Sequence, residues 1–416
     1  MLKKEFIRNY SIYFTGAMIV ALVNYLFYPI LARFMTLEGF GEVQVLISLF
    51  TEFSVITGVL SIVVLHIVAT PGDAEEKSHT ITELRKLVWI GAAILSAAIA
   101  ICSFPMAKFF HFSSPTPFVA LAALLFLSVL PLFANAYLQG KLLYFKTSVS
   151  SFIGSAGRIA GAVIMILLGF GVVGAILGVA IAQLLIWAYA SYQTRHAPEL
   201  KSSRLAGIES VEKPPIAREL RYAGLVFVTN ISTTILYTAD ILIVEHYFDP
   251  ATAGLYAGIS AVAKIGYFAL SPLGAVILPS VARDISARHH SLKTAMIVFF
   301  ALAIPGVLLS YWFYGLIVSV LFGARYVPFS NLLPLAIVLM VAVAFVQVLS
   351  SYFLALRRAA LFSIMPSAVV VAIGLCVIFH ASVPAILIDM LIGTTVAIFG
   401  LIILYAKEYL NRYTDS

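Results

Sequence analysis

The chain has 416 residues, of which 62% are hydrophobic and 11% charged, at a mean hydropathy of +1.04. A soluble globule of this size must clothe itself in polar groups, and this composition does not supply them. It excludes a water-soluble fold and points to a bilayer. The net charge of +7 lies between apolar runs, as a membrane topology signal does, so no nucleic-acid partner is expected.

The N-terminal "MLKKEFIRNY" could pass for the basic end of a signal peptide. The apolar stretch behind it is too long, and no small-residue cleavage site follows, so it is read as a retained first span. A membrane helix needs about 20 apolar residues. Twelve stretches meet that need: 10–34, 43–70, 86–109, 117–140, 148–169, 172–192, 220–247, 253–279, 294–322, 330–354, 361–381 and 383–406. The weakest division lies within 148–192, where "GFGVVGA" (169–175) is either a turn between two spans or the tip of a re-entrant hairpin. Cys102 and Cys376 fall inside apolar runs and are expected to be small core residues, with no disulfide and no metal site. Residues 193–219 carry "EKPPIAREL", whose Pro pair and mixed charge read as a linker. The expected fold is an all-α polytopic membrane protein of twelve helices in two pseudo-symmetric bundles around a central cavity. The bundles are 1–192 and 220–416, joined by 193–219.

An even number of spans puts both termini on one side. Of the 26 Lys and Arg, 21 fall on the tails and the even-numbered loops. Only Arg33, Lys108 and Arg325 fall on the other side, and Arg158 and Lys264 lie within spans. Both termini are therefore expected to be cytoplasmic. The outward loops are short, with no room for a soluble domain.

At an offset of 215, "TLEGFGEV" (36–43) falls on "ATAGLYAG" (251–258), with Gly39 on Gly254 in the loop after spans 1 and 7. "YLQGKLLYF" (137–145) falls on "YFLALRRAA" (352–360), with Tyr137 on Tyr352. The offset also aligns the span boundaries. It predicts a duplication in which two six-helix copies share one polarity and leave a cleft between them.

The residues that do not belong in a bilayer mark the candidate site. An arginine at mid-span costs about 2.5–3.5 kcal/mol on insertion scales. Arg158 is the eleventh residue of its span, and Ser151, Ser155 and Arg158 form one polar stripe. Gly154, Gly157 and Gly161 form an adjacent small stripe that permits close helix approach. Lys264 shares a face with Ser260 and Ser271, with Tyr267 beside it. Glu52, Asp240 and Asp389 are intramembrane acids and candidates for ion coupling. Asn24, Tyr28, Ser155, Tyr237 and Tyr267 are further cavity candidates. Two readings stand side by side. Arg158 and Lys264 either pair with the acids and fix helix packing, or form a positive well for a phosphate or diphosphate.

"ILARFMTLEGFGEVQVLISLF" (30–50), the span 4 to 6 region (135–185) and "TADILIVEHYFDPATAGLYAGISAVAKI" (238–265) resemble the bacterial polysaccharide transporters. That family includes the O-antigen repeat-unit flippases of the multidrug/oligosaccharidyl-lipid/polysaccharide exporter superfamily. The resemblance implies alternating access and export of an undecaprenyl-pyrophosphate-linked oligosaccharide across the bacterial inner membrane, with no cofactor. It makes the lipid-linked oligosaccharide and membrane lipids the partners, with polysaccharide polymerase and glycosyltransferases as neighbours in the pathway. Cationic cavity residues are common in such flippases, and Arg158 and Lys264 are the candidates by depth.

A multidrug exporter of the same superfamily is the rival reading. Such exporters usually carry an acidic residue inside span 1, where this chain has Asn24 and Pro29. A membrane-embedded polysaccharide-processing enzyme is a third reading. Its catalytic groups need a sizeable outer loop, and none is expected here. No Walker loop occurs, so ATP is not the direct energy source.

Overall fold

The computed structural model describes residues 20–69, 74–197, 200, 216–283 and 288–414. These residues are helical nearly throughout and contain no strand. The chain divides into two compact units, Met1–Pro214 and Pro215–Ser416. Most of the predicted linker, residues 201–215, and the N-terminal part of the first span, residues 10–19, lie outside the described residues.

Unit 1 holds α1 (Val20–Phe34), α2 (Leu37–Ala69), α3 (Ala74–Ile101), the short α4 (Ser103–Phe109), α5 (Thr116–Ser128), α6 (Leu132–Gly140), α7 (Tyr144–Met165) and α8 (Gly171–Thr194). α5 and α6 make one span, broken at Pro131, which has no N–H to continue the helical ladder. α7 and α8 fold back on each other at Gly169 and Gly171, whose φ angles of 90° and 51° belong to glycine. At 1.5 Å per residue each arm is about 33 Å or longer, enough to cross a hydrocarbon core. The turn therefore separates two full spans, and the re-entrant alternative falls.

Unit 2 holds α9 (Ile216–Tyr247), α10 (Pro250–Leu270), α11 (Pro272–Arg283), α12 (Arg288–Phe322), a 3-10 segment (Ala324–Leu332), α13 (Leu333–Ala355), α14 (Leu361–Ile378) and α15 (Val383–Thr414). Ten stretches are long and apolar enough to cross a membrane. One of them, Tyr144–Thr194, holds two predicted spans, and α1 is the described part of the first. Among the described residues this accounts for eleven of the twelve expected spans and for the later part of the first.

The sequence reading needs three corrections. The third span starts at Ala74, not at 86, because the Glu- and Lys-rich turns ahead of it are good helix formers and simply extend it. Cys102 is exposed, whereas Cys376 is buried. A spanning helix has a lipid face as well as a core face, and hydropathy does not separate them. The stretch after Thr36 is the first turn of α2 rather than a loop. Thr36 Oγ1 accepts from the Gly39 N–H at 3.1 Å, and Asp249 Oδ1 from the Thr252 N–H at 3.0 Å. These equivalent caps put Gly39 on Thr252 and not on Gly254. Hydrogen bonding by the Thr252 side chain, and then by its backbone N–H, holds the exposed Asp249 carboxyl below the usual aspartate range.

The duplication is clearest in the backbone. α6 ends with the Lys141 N–H donating to the Tyr137 carbonyl, Leu142 to Gln139 and Leu143 to Leu138. α13 ends with Leu356 donating to Tyr352, Arg357 to Leu354 and Arg358 to Phe353. Leu142 and Arg357 both sit in the left-handed region, at φ 55° and 53°. Every member of one set is 215 residues from its counterpart. Non-glycine residues seldom adopt this conformation, so its recurrence at one offset marks common descent of the two halves.

Candidate functional site

The candidate residues fall into three local groups, one in unit 1 and two in unit 2. In unit 1, Arg158 stands on α7 about 21 Å from Tyr144 along the helix and about 10 Å short of Met165. The helix begins earlier than predicted, so Arg158 lies past its midpoint. Its guanidinium Nη2 donates to the Asn24 backbone carbonyl of α1 at 2.8 Å. It also lies over the Phe27 ring at 4.1 Å and the Tyr28 ring at 6.0 Å. A hydrogen bond to a charged group contributes about 1.5–3 kcal/mol, and a desolvated cation–π contact about 2 kcal/mol. Together these offset an insertion cost of about 2.5–3.5 kcal/mol.

The local sequence explains the arrangement. Asn24, Phe27 and Tyr28 are spaced i, i+3, i+4 and share one face of α1. Pro29 gives no N–H to the turn before it and disturbs the carbonyls there, and the guanidinium takes the adjoining one. On α7 the glycine stripe packs against α8. A Cβ at Gly154 would meet Ile186, one at Gly157 would meet Leu185, and one at Gly161 would lie 3.1 Å from the Gly178 backbone. Ser155 is not brought to the guanidinium; its hydroxyl donates to the Ser151 carbonyl at 2.9 Å. Glu52 is half-buried on α2.

In unit 2, Lys264 of α10 is buried, and its Nζ lies 4.6 Å from the Tyr237 ring centre on α9. The Tyr237 and Tyr267 rings meet at 4.5 Å, tilted by 40°. The geometry brings Lys264, Tyr237 and Tyr267 together. Ser260 goes elsewhere, donating to Asp240 Oδ2 at 2.8 Å.

Asp240 forms the third group. It is fully buried, and its Oδ2 also accepts from the Tyr256 hydroxyl at 2.5 Å. Its Oδ1 has no hydrogen-bond partner among the described residues. Asp389 of α15 is buried too, with one oxygen in the same condition. Cys376 of α14 lies within electrostatic reach of both carboxylates. Each of these buried acids can take up a proton or hold a cation.

The Tyr256 hydroxyl is a strong support for Asp240, and Tyr256→Phe is expected to cost about 1–3 kcal/mol. Thermal unfolding of the purified chain would show it as a melting point several degrees lower. An unchanged melting point would mean that the hydroxyl is dispensable.

Phe27, Tyr256 and the Asn24 carbonyl are the partners that sequence reasoning missed. The i, i+3 spacing from Asn24 was available to find Phe27. Nothing in the sequence pairs Tyr256 with Asp240, which lies on another helix.

A family model described as "Polysaccharide biosynthesis protein" matches residues 6–285. No curated protein matches the sequence. Among solved structures, an inward-facing multidrug resistance MATE transporter of the MOP superfamily is similar at a TM-score of 0.76 and 14% identity, over 95% of this chain and 96% of that one. The lipid II flippase MurJ, in an inward closed conformation, is similar at a TM-score of 0.74 and 13% identity, over 95% and 87%. An outward-facing MATE transporter gives 0.66 and 18%, over 99% and 96%. At such identities the likeness shows the fold, which is one of transporters and flippases.

Proposed function

This chain belongs to the polysaccharide biosynthesis protein family, and from that premise we propose that it flips an undecaprenyl-pyrophosphate-linked oligosaccharide from the cytoplasmic to the outer leaflet of a bacterial inner membrane. The cargo is an O-antigen, capsule or exopolysaccharide repeat unit, and polymerase and glycosyltransferases act after and before it. The observation that carries the reading is the Arg158 guanidinium. It sits on a membrane-spanning helix and is held by a carbonyl and an aromatic ring. A planar fork of donors suits a diphosphate. Lys264 beside Tyr237 is the second candidate cation, in unit 2.

The two six-helix halves, 1–192 and 220–416, alternate in exposing the cargo, and 193–219 links them on the cytoplasmic side with both termini. Ion entry at Asp240 and Asp389 drives the cycle, with Glu52 a further candidate, which makes the transporter an antiporter. Asn24, Tyr28, Ser155, Tyr237 and Tyr267 complete the polar lining.

The test is complementation of a bacterium that lacks its own repeat-unit flippase. Restored surface polysaccharide supports the reading; drug efflux without it favours the multidrug exporter. For coupling, Asp240→Asn and Asp389→Asn are each expected to lower the yield about tenfold or more, because neither amide can take up a proton or hold a cation by charge. Full yield in both variants would remove the acids from the cycle.

A further inference from the structure

In unit 1, where α8 finishes beside α3 and the break between α5 and α6, the helices line a cavity of about 350 Å³. Arg85 and Arg195 line it, with Trp89, Trp187, Ser191 and Thr194. The Arg85 guanidinium donates to the Leu200 carbonyl at 3.3 Å and lies 5.1 Å from the Phe133 ring centre. Arg195 is exposed and stands 4.5 Å from the Tyr192 ring centre. No acidic residue lines the cavity among the described residues. Two guanidiniums with hydroxyls beside them, and no lining carboxylate among the described residues, make an anion site.

The surroundings say which anion. Leu87, Ile90 and Ile94 of α3 and Leu184 and Leu185 of α8 are exposed, so the helices that form the cavity also present an apolar flank. In a bilayer that flank meets acyl chains. Trp187 is 42% exposed, and tryptophan concentrates at the level of lipid headgroups. Basic pockets between membrane helices bind phospholipid headgroups. A cavity of this volume takes a phosphate with its glycerol and leaves the chains outside.

The site recurs. Unit 2 carries a cavity of about 310 Å³ between α12, α13 and α15, lined by His289, Lys293 and Tyr405 with mainly apolar neighbours. Leu130, Ala134 and Trp187 of the first cavity fall at the offset of 215 on Phe345, Leu349 and Ile402 of the second. A cation-bearing hollow kept at equivalent places in both halves is a feature of the fold rather than a packing accident.

We propose that the unit 1 cavity binds the phosphodiester headgroup of an anionic phospholipid between Arg85 and Arg195, with the acyl chains lying along α3 and α8. Only the choice of leaflet, the cytoplasmic one, rests on the orientation given above. The bound lipid ties α3 at Arg85 to the end of α8 and anchors unit 1 at the membrane surface.

The experiment is native mass spectrometry of the full chain in detergent with equal phosphatidylglycerol and phosphatidylethanolamine. Retention of phosphatidylglycerol in preference is expected. Arg85→Gln with Arg195→Gln should lower that retention about tenfold, and Arg195→Gln alone, at an exposed side chain that does not threaten the fold, about threefold. Retention is read on the purified chain without any transport assay, so failure of the transport reading is told apart from failure of this one. Equal retention of both lipids by the native chain would overturn the proposal. So would unaltered retention in Arg195→Gln and the double variant, or release of the retained phosphatidylglycerol by millimolar inorganic phosphate.

Discussion

Replacing Arg158 with Ala is expected to reduce surface polysaccharide by about a hundredfold or more in a complemented strain, with the protein still present in the membrane. Each hydrogen bond from a guanidinium to a phosphate contributes about 1.5–3 kcal/mol, and a bidentate pair twice that. Every 1.4 kcal/mol is tenfold, so losing the fork outweighs any compensating shift. Arg158→Lys keeps the charge and loses the planar geometry. It is expected to retain about a tenth of the activity. The Asn24 carbonyl and Phe27 ring would also lose their partner, which loosens α1 from α7. Melting curves of both variants separate this from lost transport. A folded Ala variant with full polysaccharide would exclude Arg158 from cargo binding.

Gly178→Val is expected to abolish accumulation of folded protein. A Cβ at this position would lie 2.1 Å from the Ala162 backbone N and 2.4 Å from its Cα. Backbone cannot rotate away as a side chain can, so α7 and α8 must part. Overpacking costs about 1–3 kcal/mol even where neighbours yield, and parting these arms also opens the Gly154 and Gly157 contacts. Gly178→Ala should already lower the melting point by several degrees. Unit 2 repeats the feature 215 residues on, where a Cβ at Gly393 would lie 2.3 Å from the Ala372 Cβ and 2.6 Å from its Cα. Gly393→Val is expected to behave alike. Normal yield of detergent-stable Gly178→Val would show that the two arms adjust freely.

The spans were legible because a bilayer imposes one length and one polarity on every crossing. Twenty apolar residues between Lys or Arg clusters suffice to mark a crossing, whatever it packs against. Ends were less legible: the charged turns before Leu87 are as helical as the span itself. The burial of Cys376 and exposure of Cys102 could not be told apart, since both neighbourhoods are equally apolar. Arg158, Lys264 and Asp240 announced themselves by charge. Their partners did not, for physical reasons. A backbone carbonyl at Asn24 has no signature in the sequence, and Phe27 looks like any packing residue. The hydroxyls of Tyr256 and Ser260 reach Asp240 from the next helix, beyond any local spacing.

The paired left-handed caps at Leu142 and Arg357 carry an evolutionary consequence. If each half descends from one ancestral six-helix gene, its product must once have worked as two identical copies. At the offset of 215 Arg158 corresponds to Ile373, and at the 213 set by the caps of α2 and α10 Lys264 corresponds to Thr51. Neither cation has an ancestral twin in the other half. The specialised chemistry therefore arose after fusion, when each half was released from having to serve in both roles. A self-paired copy of either half today would lack what the other invented.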